Sequence, residues 1–189
     1  ERRVLWATLR DEQRHLSLYM ARMEELGVIF GSKGSSDFFW RTFREVDRIE
    51  QFAAGMGLCI EQANLDYATL YCTLFRTAGD HRSAAIMEQI LADEIIHVRR
   101  GLNLLKKQLS HRDLWNAWLS ELPRPLTPGR ARGQVLHPAP RSAAGIPDSF
   151  IQRLEVWGET KGRPPVIRLF NPDMEERLAG RIPRKIFTL

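Results

Sequence analysis

Apolar residues recur every three or four positions along the first part of the chain, which is the spacing of an amphipathic helix. Over residues 1–26 the pattern runs through Leu5, Leu9, Leu16, Tyr19 and Met23, and Gly27 follows it. Because glycine commonly ends a helix, we predict one helix over 1–26, already helical at the first residue.

Two further long helices are predicted downstream. A Gly/Ser loop follows the first helix, and Ser36 is placed as the N-cap of a short aromatic helix. A proline-free helical pattern then extends over 45–77, and a second one over 80–109. The stop at Ala78-Gly79 and the capping residue Asp80 predict that these two form an antiparallel hairpin.

The last part of the chain is more irregular. A short helix is expected at 114–122, followed by a Pro/Gly/Arg-rich passage, a helix capped by Asp148, an extended stretch at 164–172 and a last helical turn. We therefore predict an all-α fold with a helical bundle over 1–110 and an irregular, basic extension over 111–189 that packs on it.

Composition and charge narrow the class of protein. The 189 residues are 43% hydrophobic and 27% charged, which is typical of a globular domain, and no run of 18 apolar residues suggests a membrane span. Residues 1–98 hold 11 Lys and Arg against 15 Asp and Glu, whereas residues 99–189 hold 17 against 8. A basic half can bind nucleic acid, but we favour a basic tail wrapped on an acidic body.

The two cysteines, Cys59 and Cys72, are too far apart along a helix to form a disulfide. Free thiols are typical of a reducing compartment, so we expect the protein in the cytoplasm.

The motif Asp-Glu-x-x-His occurs twice, at 11–15 and at 93–97. Glu and His three residues apart share one helix face, so Glu12 with His15, and Glu94 with His97, can each reach one metal ion. One Glu-x-x-His pair is unremarkable in a chain of this composition, but two, each preceded by Asp, are not expected by chance. Both pairs are therefore candidate metal ligands.

A third carboxylate follows from the geometry of the hairpin. The midpoint between Glu61 and Glu94 falls at position 77.5, beside the Ala78-Gly79 turn, so the two residues sit at about the same height in the hairpin. The other residues on the Glu61 face are small or apolar, and a carboxylate there is costly to bury without a cation. We expect the carboxylates of Glu61 and Glu94 to lie within about 7 Å of each other.

These motifs resemble the ferritin-like superfamily, and within it an uncharacterised bacterial family of ferritin-like proteins of unknown function. The similar stretches are EQANLD at 61–66 and TAGDHRSAAIMEQILADEIIHVRRG at 77–101. The resemblance implies a four-helix bundle with a dinuclear site of two Fe ions, two Mn ions or one of each. It also implies that Asp11 and Asp93 hydrogen-bond metal-bound His97 and His15. The superfamily's first helix, with its own Glu, is expected before residue 1 or from a second chain.

The resemblance leaves three functions open. The ligand set suits iron or manganese, so we expect an oxidoreductase that activates O₂ on a small-molecule substrate, with the substrate and the electron donor unassigned. The alternatives are a ferroxidase or iron-handling protein and a metal-free interaction module. Tyr19 lies two turns from Glu12 and is a candidate radical or hydrogen-bonding residue, although most such residues simply pack in the core. We expect no membrane or nucleic-acid partner, and a homodimer is compatible with the sequence.

Overall fold

The computed structural model describes residues 2–32, 34–107 and 113–160. For residues 158–160 only the backbone is described. Within these ranges every regular element is helical, as the hydrophobic periodicity predicts. The elements are α1 (Arg2–Glu25), α2 (Phe38–Phe43), α3 (Ile49–Phe52), a π-helical segment (Ala53–Ile60), α4 (Glu61–Thr77), α5 (His81–Lys106), α6 (Leu114–Glu121), a 3₁₀ turn (Pro128–Arg130), α7 (Pro138–Ala144) and α8 (Asp148–Thr160). No described helix is long and apolar enough to cross a membrane.

The ends of the helices follow local chemistry. After α1 the backbone takes a left-handed turn at Gly27 (φ +70°), and the amide of Val28 donates to the carbonyl of Met23 at 2.8 Å. At the start of α5 the carboxylate of Asp80 accepts from the amide of Ser83 at 2.9 Å, so the predicted cap is confirmed. On the α4 side of the same turn, Gly79 is left-handed (φ +76°) and the amide of Asp80 donates to the carbonyl of Phe75 at 2.8 Å, so the hairpin is fixed on both sides.

The second long helix differs from the prediction in two respects. It begins at Ile49 and not at residue 45, because Arg48 has an extended backbone (φ −109°, ψ 140°). Its first part also widens into the π segment, whose eight residues are nearly all small or apolar. For the helix predicted over 80–109, the structure follows α5 to Lys106, and residues 108 and 109 lie outside the described ranges.

The π segment and α5 approach each other through two glycines. A Cβ added to Gly57 would lie 2.7 Å from the Cα of Gly101, and one added to Gly101 would lie 2.8 Å from the Cα of Gly57. Only glycine allows two backbones to come this close. This contact brings the helix that carries Glu61 against the helix that carries Glu94 and His97.

The C-terminal elements pack on the helical hairpin. Trp118 of α6 is fully buried and donates from its indole nitrogen to the carbonyl of Ala54 at 3.0 Å. Phe150 and Leu154 of α8 belong to the same hydrophobic cluster as Leu58 and Leu105 of the hairpin. The extended stretch and the last turn predicted after residue 163 lie outside the described residues.

A buried ion pair fixes the 131–141 segment to α4. Arg141 is 0% exposed and donates to both carboxylate oxygens of Asp66, at 2.6 and 2.8 Å. The same carboxylate accepts from the amides of Gly133 and His137 at 2.8 and 2.7 Å. Each charge therefore has several partners, as a buried pair requires.

Candidate metal centre

Four of the five predicted ligands converge where α1, α4 and α5 meet. Glu12, Glu61, Glu94 and His97 each offer one ligand atom, and these atoms all lie within 4.8 Å of one another. The expected closeness of Glu61 and Glu94 is therefore met. Glu61, Glu94 and His97 are buried, and the side chain of Glu12 is 46% exposed.

Three carboxylates surround Nδ1 of His97. That atom lies 3.2 Å from Oε1 of Glu12, 3.6 Å from Oε2 of Glu94 and 3.9 Å from Oε1 of Glu61. Yet Nδ1 of His97 and Oε2 of Glu94 are buried with no properly oriented hydrogen-bond partner among the described residues. Buried polar atoms are rarely left in this state, and a cation between them would satisfy both.

The other nitrogen of each histidine contacts the aspartate of the opposite motif. Nε2 of His97 lies 3.2 Å from Oδ2 of Asp11, and Nε2 of His15 lies 3.0 Å from Oδ2 of Asp93. Each aspartate thus orients an imidazole on the facing helix, and leaves its Nδ1 directed toward the glutamates.

Glu12 lies between the two imidazoles. Its Oε1 is near His97, and its Oε2 is 3.6 Å from Nδ1 of His15. His15 stands outside the group of four, and no other carboxylate among the described residues forms a group of three ligands with it. Among the described residues, one group that could hold a metal ion therefore lies on the His97 side, and His15 and Glu12 stand together beside it.

The pKa values of Glu61, His97 and Glu12 show that this group of side chains favours bound positive charge. Burial, and then the charge of Glu94, raises the pKa of Glu61 to about 8. Burial lowers the pKa of His97, but the facing carboxylates of Glu12 and Glu94 outweigh it and the pKa is about 10. His15 and His97 lower the pKa of Glu12 to about 2. At neutral pH the group therefore holds protons on Glu61 and His97, in the place where a metal ion would supply the charge.

The apolar residues beside Glu12 on α1 lie on an open side of the site. Leu9 and Leu16 line a cavity together with Glu12 and Glu61. They are 47% and 48% exposed, and Tyr19 is 43% exposed, whereas Asp11 and His15 are the buried residues of α1. Among the described residues, this side of the site therefore stays partly open to solvent.

The other candidate, Tyr19, contacts no ligand within hydrogen-bond distance. Burial, and then the charge of Glu94, raises its pKa to about 12, so it stays protonated. A role for Tyr19 remains a prediction.

The two cysteines, Cys59 and Cys72, are buried and free, so no disulfide joins them.

Asp66 and Arg141 form a buried pair that sequence reasoning missed. They are 75 residues apart, and nothing in the local pattern of either indicates the other.

Comparison with protein families adds one finding. Residues 4–152 match the family described as "Protein of unknown function (DUF455)". The match covers most of the chain, so the chain belongs to this family. Neither the curated proteins nor the solved structures contain a match to it.

Proposed function

We propose that this member of the DUF455 family is a metal-dependent oxidoreductase with a ferritin-like arrangement of helices. The observation that carries the proposal is the convergence of Glu12, Glu61, Glu94 and His97, two of whose buried polar atoms have no hydrogen-bond partner among the described residues. A group of three carboxylates and an imidazole is a ligand set for iron or manganese rather than for copper or zinc.

The antiparallel helical hairpin, and the Asp–His contacts between the two motifs, support the ferritin-like arrangement. Glu61 comes from α4, Glu94 and His97 come from α5, and Glu12 and His15 come from α1. In carboxylate-bridged bundles of this type, two Glu-x-x-His helices and two further Glu helices hold two ions. Glu61, Glu94 and His97 would hold one ion, and Glu12 and His15 would contribute to a second.

When bound, iron or manganese supplies the electrons that reduce O₂. The residues of this chain hold it and control its surroundings. Asp11 and Asp93 fix the orientation of the two imidazoles through their Nε2 atoms. Glu61 and His97 give up their protons when a cation binds, because both must be deprotonated to act as ligands. Burial of Glu61, Glu94 and His97 keeps bulk water from most of the group.

Metal analysis and oxygen consumption together test this function. The purified chain is loaded anaerobically with Fe(II) or Mn(II), freed of excess metal, and exposed to O₂. An oxidoreductase retains the metal and consumes O₂ in repeated turnovers with a reductant. Oxygen uptake that stops once added Fe(II) is oxidised would indicate the ferroxidase instead, and a chain that retains no metal would indicate the interaction module.

A further inference from the structure

The exposed face of α1 carries a regular apolar stripe. Trp6, Leu9, Leu16 and Met20 are 69%, 47%, 48% and 44% exposed, and Gln13 between them is exposed as well. The intervals between these positions are three, four, three and four residues. This is the spacing of a coiled-coil seam, in which a single polar residue commonly fixes the register.

From this stripe we infer that the protein forms a homodimer in which α1 packs antiparallel against α1 of a second copy. The binding partner of such a seam is another helix, because side chains at three-and-four spacing insert between the side chains of a facing helix. Two copies of one chain present the same seam to each other, which is what a twofold contact requires.

The charges beside the seam select the antiparallel register. When Gln13 is level with the partner's Leu16, Leu9 faces the partner's Met20, and Arg3 lies beside the partner's Glu24. Arg3 and Glu24 are exposed and make no ion pair within the described residues, so they are free to pair across the dimer. An opposite-charge pair beside a seam sets partner choice and orientation.

The two neighbouring antiparallel registers are disfavoured. A shift by one heptad in one direction would place Arg10 beside the partner's Arg10 and Glu12 beside the partner's Glu12, and like charges there are destabilising. In the favoured register Glu12 lies beside the partner's Tyr19 instead. A shift in the other direction would pair Arg10 with the partner's Glu24, but it would leave Trp6 and Leu9 beyond the end of the partner's α1, so half of the seam would stay unpacked. A parallel pair would separate Arg3 from the partner's Glu24 by roughly 30 Å.

The stripe forms one wall of an apolar groove, which enlarges the contact surface. The groove has a volume of about 870 Å³, and Trp6, Leu9, Gln13 and Leu16 line it on one side. Its other walls include Phe39 and Trp40 of α2, and Glu12 and Glu61 lie at its edge. Trp40 is 73% exposed. Such a surface rarely stays uncovered in a soluble protein. The second copy would also cover the exposed side of Glu12, at the edge of the metal cluster.

The mass of the full chain in solution, measured by light scattering after size exclusion, tests the inference without any metal. We expect a dimer, and we expect the mass of Leu9→Lys/Leu16→Lys to fall by half. Val135→Lys is the matched control, because Val135 is 63% exposed outside α1, and it should remain a dimer. A monomeric wild type, or a double variant that stays dimeric with an unchanged helical spectrum, would overturn the inference.

A charge swap tests the register. Arg3→Glu and Glu24→Arg should each raise the dissociation constant of the dimer by about tenfold, since each places like charges at both ends of the seam. The double variant Arg3→Glu/Glu24→Arg should restore the wild-type constant. Failure of the double variant to recover would contradict the antiparallel register.

Discussion

Oδ2 of Asp11 on α1 lies 3.2 Å from Nε2 of His97 on α5, so the first motif orients the histidine of the second. Asp93 and His15 repeat the relationship in the opposite direction at 3.0 Å. The two motifs are thus interdependent, because the Nε2 atom of each histidine has its partner on the helix of the other motif.

Removing the charge of Asp11 should weaken metal binding without removing a ligand. Asp11→Asn keeps the shape of the side chain but replaces the charged carboxylate that faces His97 by a neutral amide, a weaker acceptor, and changes of this kind cost about 10- to 100-fold in metal affinity. Competition with a chromophoric chelator measures the affinity. Asp113→Asn changes an exposed aspartate far from the site and should leave it unchanged. Equal affinities for all three proteins would show that Asp11 has no orienting role.

The metal-free protein should lose stability as the pH rises. Between the unfolded-state pKa of about 4.5 and the native pKa of about 8, native Glu61 keeps a proton that the unfolded chain has released. His97 behaves in the same way between about 6.5 and about 10. Each contribution is full below the unfolded pKa and is lost as the pH passes the native pKa.

Thermal unfolding of the chelator-treated protein from pH 5 to pH 9 measures this loss. Glu61→Gln removes the contribution of Glu61, so its melting temperature should fall less between pH 5 and pH 8 than that of the wild type. Glu88→Gln, an exposed change on α5, should leave the pH dependence of the melting temperature unchanged. A wild-type melting temperature that rises over this range would contradict the assigned protonation states.

The glycine contact should tolerate no side chain. Gly57→Ala places a Cβ 2.7 Å from the Cα of Gly101, which neither backbone can avoid by a rotamer change. Alanine is the better helix former by about 1 kcal/mol, but overpacking of this kind costs about 1–3 kcal/mol, so we expect a net loss of stability. Gly129→Ala, whose Cβ would make only an ordinary contact at 3.7 Å, is the control in urea denaturation. A Gly57→Ala protein as stable as the control would refute the close approach.

The buried pair of Asp66 and Arg141 should contribute much more than a surface pair. Arg141→Met leaves Asp66 as an unpaired buried charge and should cost about 3–5 kcal/mol of unfolding free energy. Arg153→Met breaks an exposed pair with Asp113 and should cost at most about 1 kcal/mol. Similar losses for the two variants would mean that the buried pair does not hold the 131–141 segment on α4.

The sequence was most informative where a short turn links two helices. The stop at Gly79 and the cap at Asp80 set the register of the hairpin, and that register alone placed Glu61 level with Glu94. The π segment was not predictable, because Ala53–Ile60 is almost uniformly small and apolar and shows no periodicity. The exposed stripe of α1 was not predictable either, because apolar residues occur on more than one side of this helix and their spacing does not show which side other helices cover. The contact of Asp66 with Arg141 depends on the path of the chain between them, which no local pattern records.

Metal content measured together with thermal stability tests the central claim most directly. The chain, loaded with Fe(II) or Mn(II) and then desalted, is compared with His15→Ala, His97→Ala and the exposed control His81→Ala by elemental analysis and by melting temperature. We predict that the wild type and His81→Ala retain metal and melt higher when loaded, because an ion that binds only the folded state stabilises it. His97→Ala should lose the metal and the added stability together, and His15→Ala should lower both. If both variants keep the full metal content and melt as the wild type does, or if the wild type retains no metal, these residues do not form a metal site.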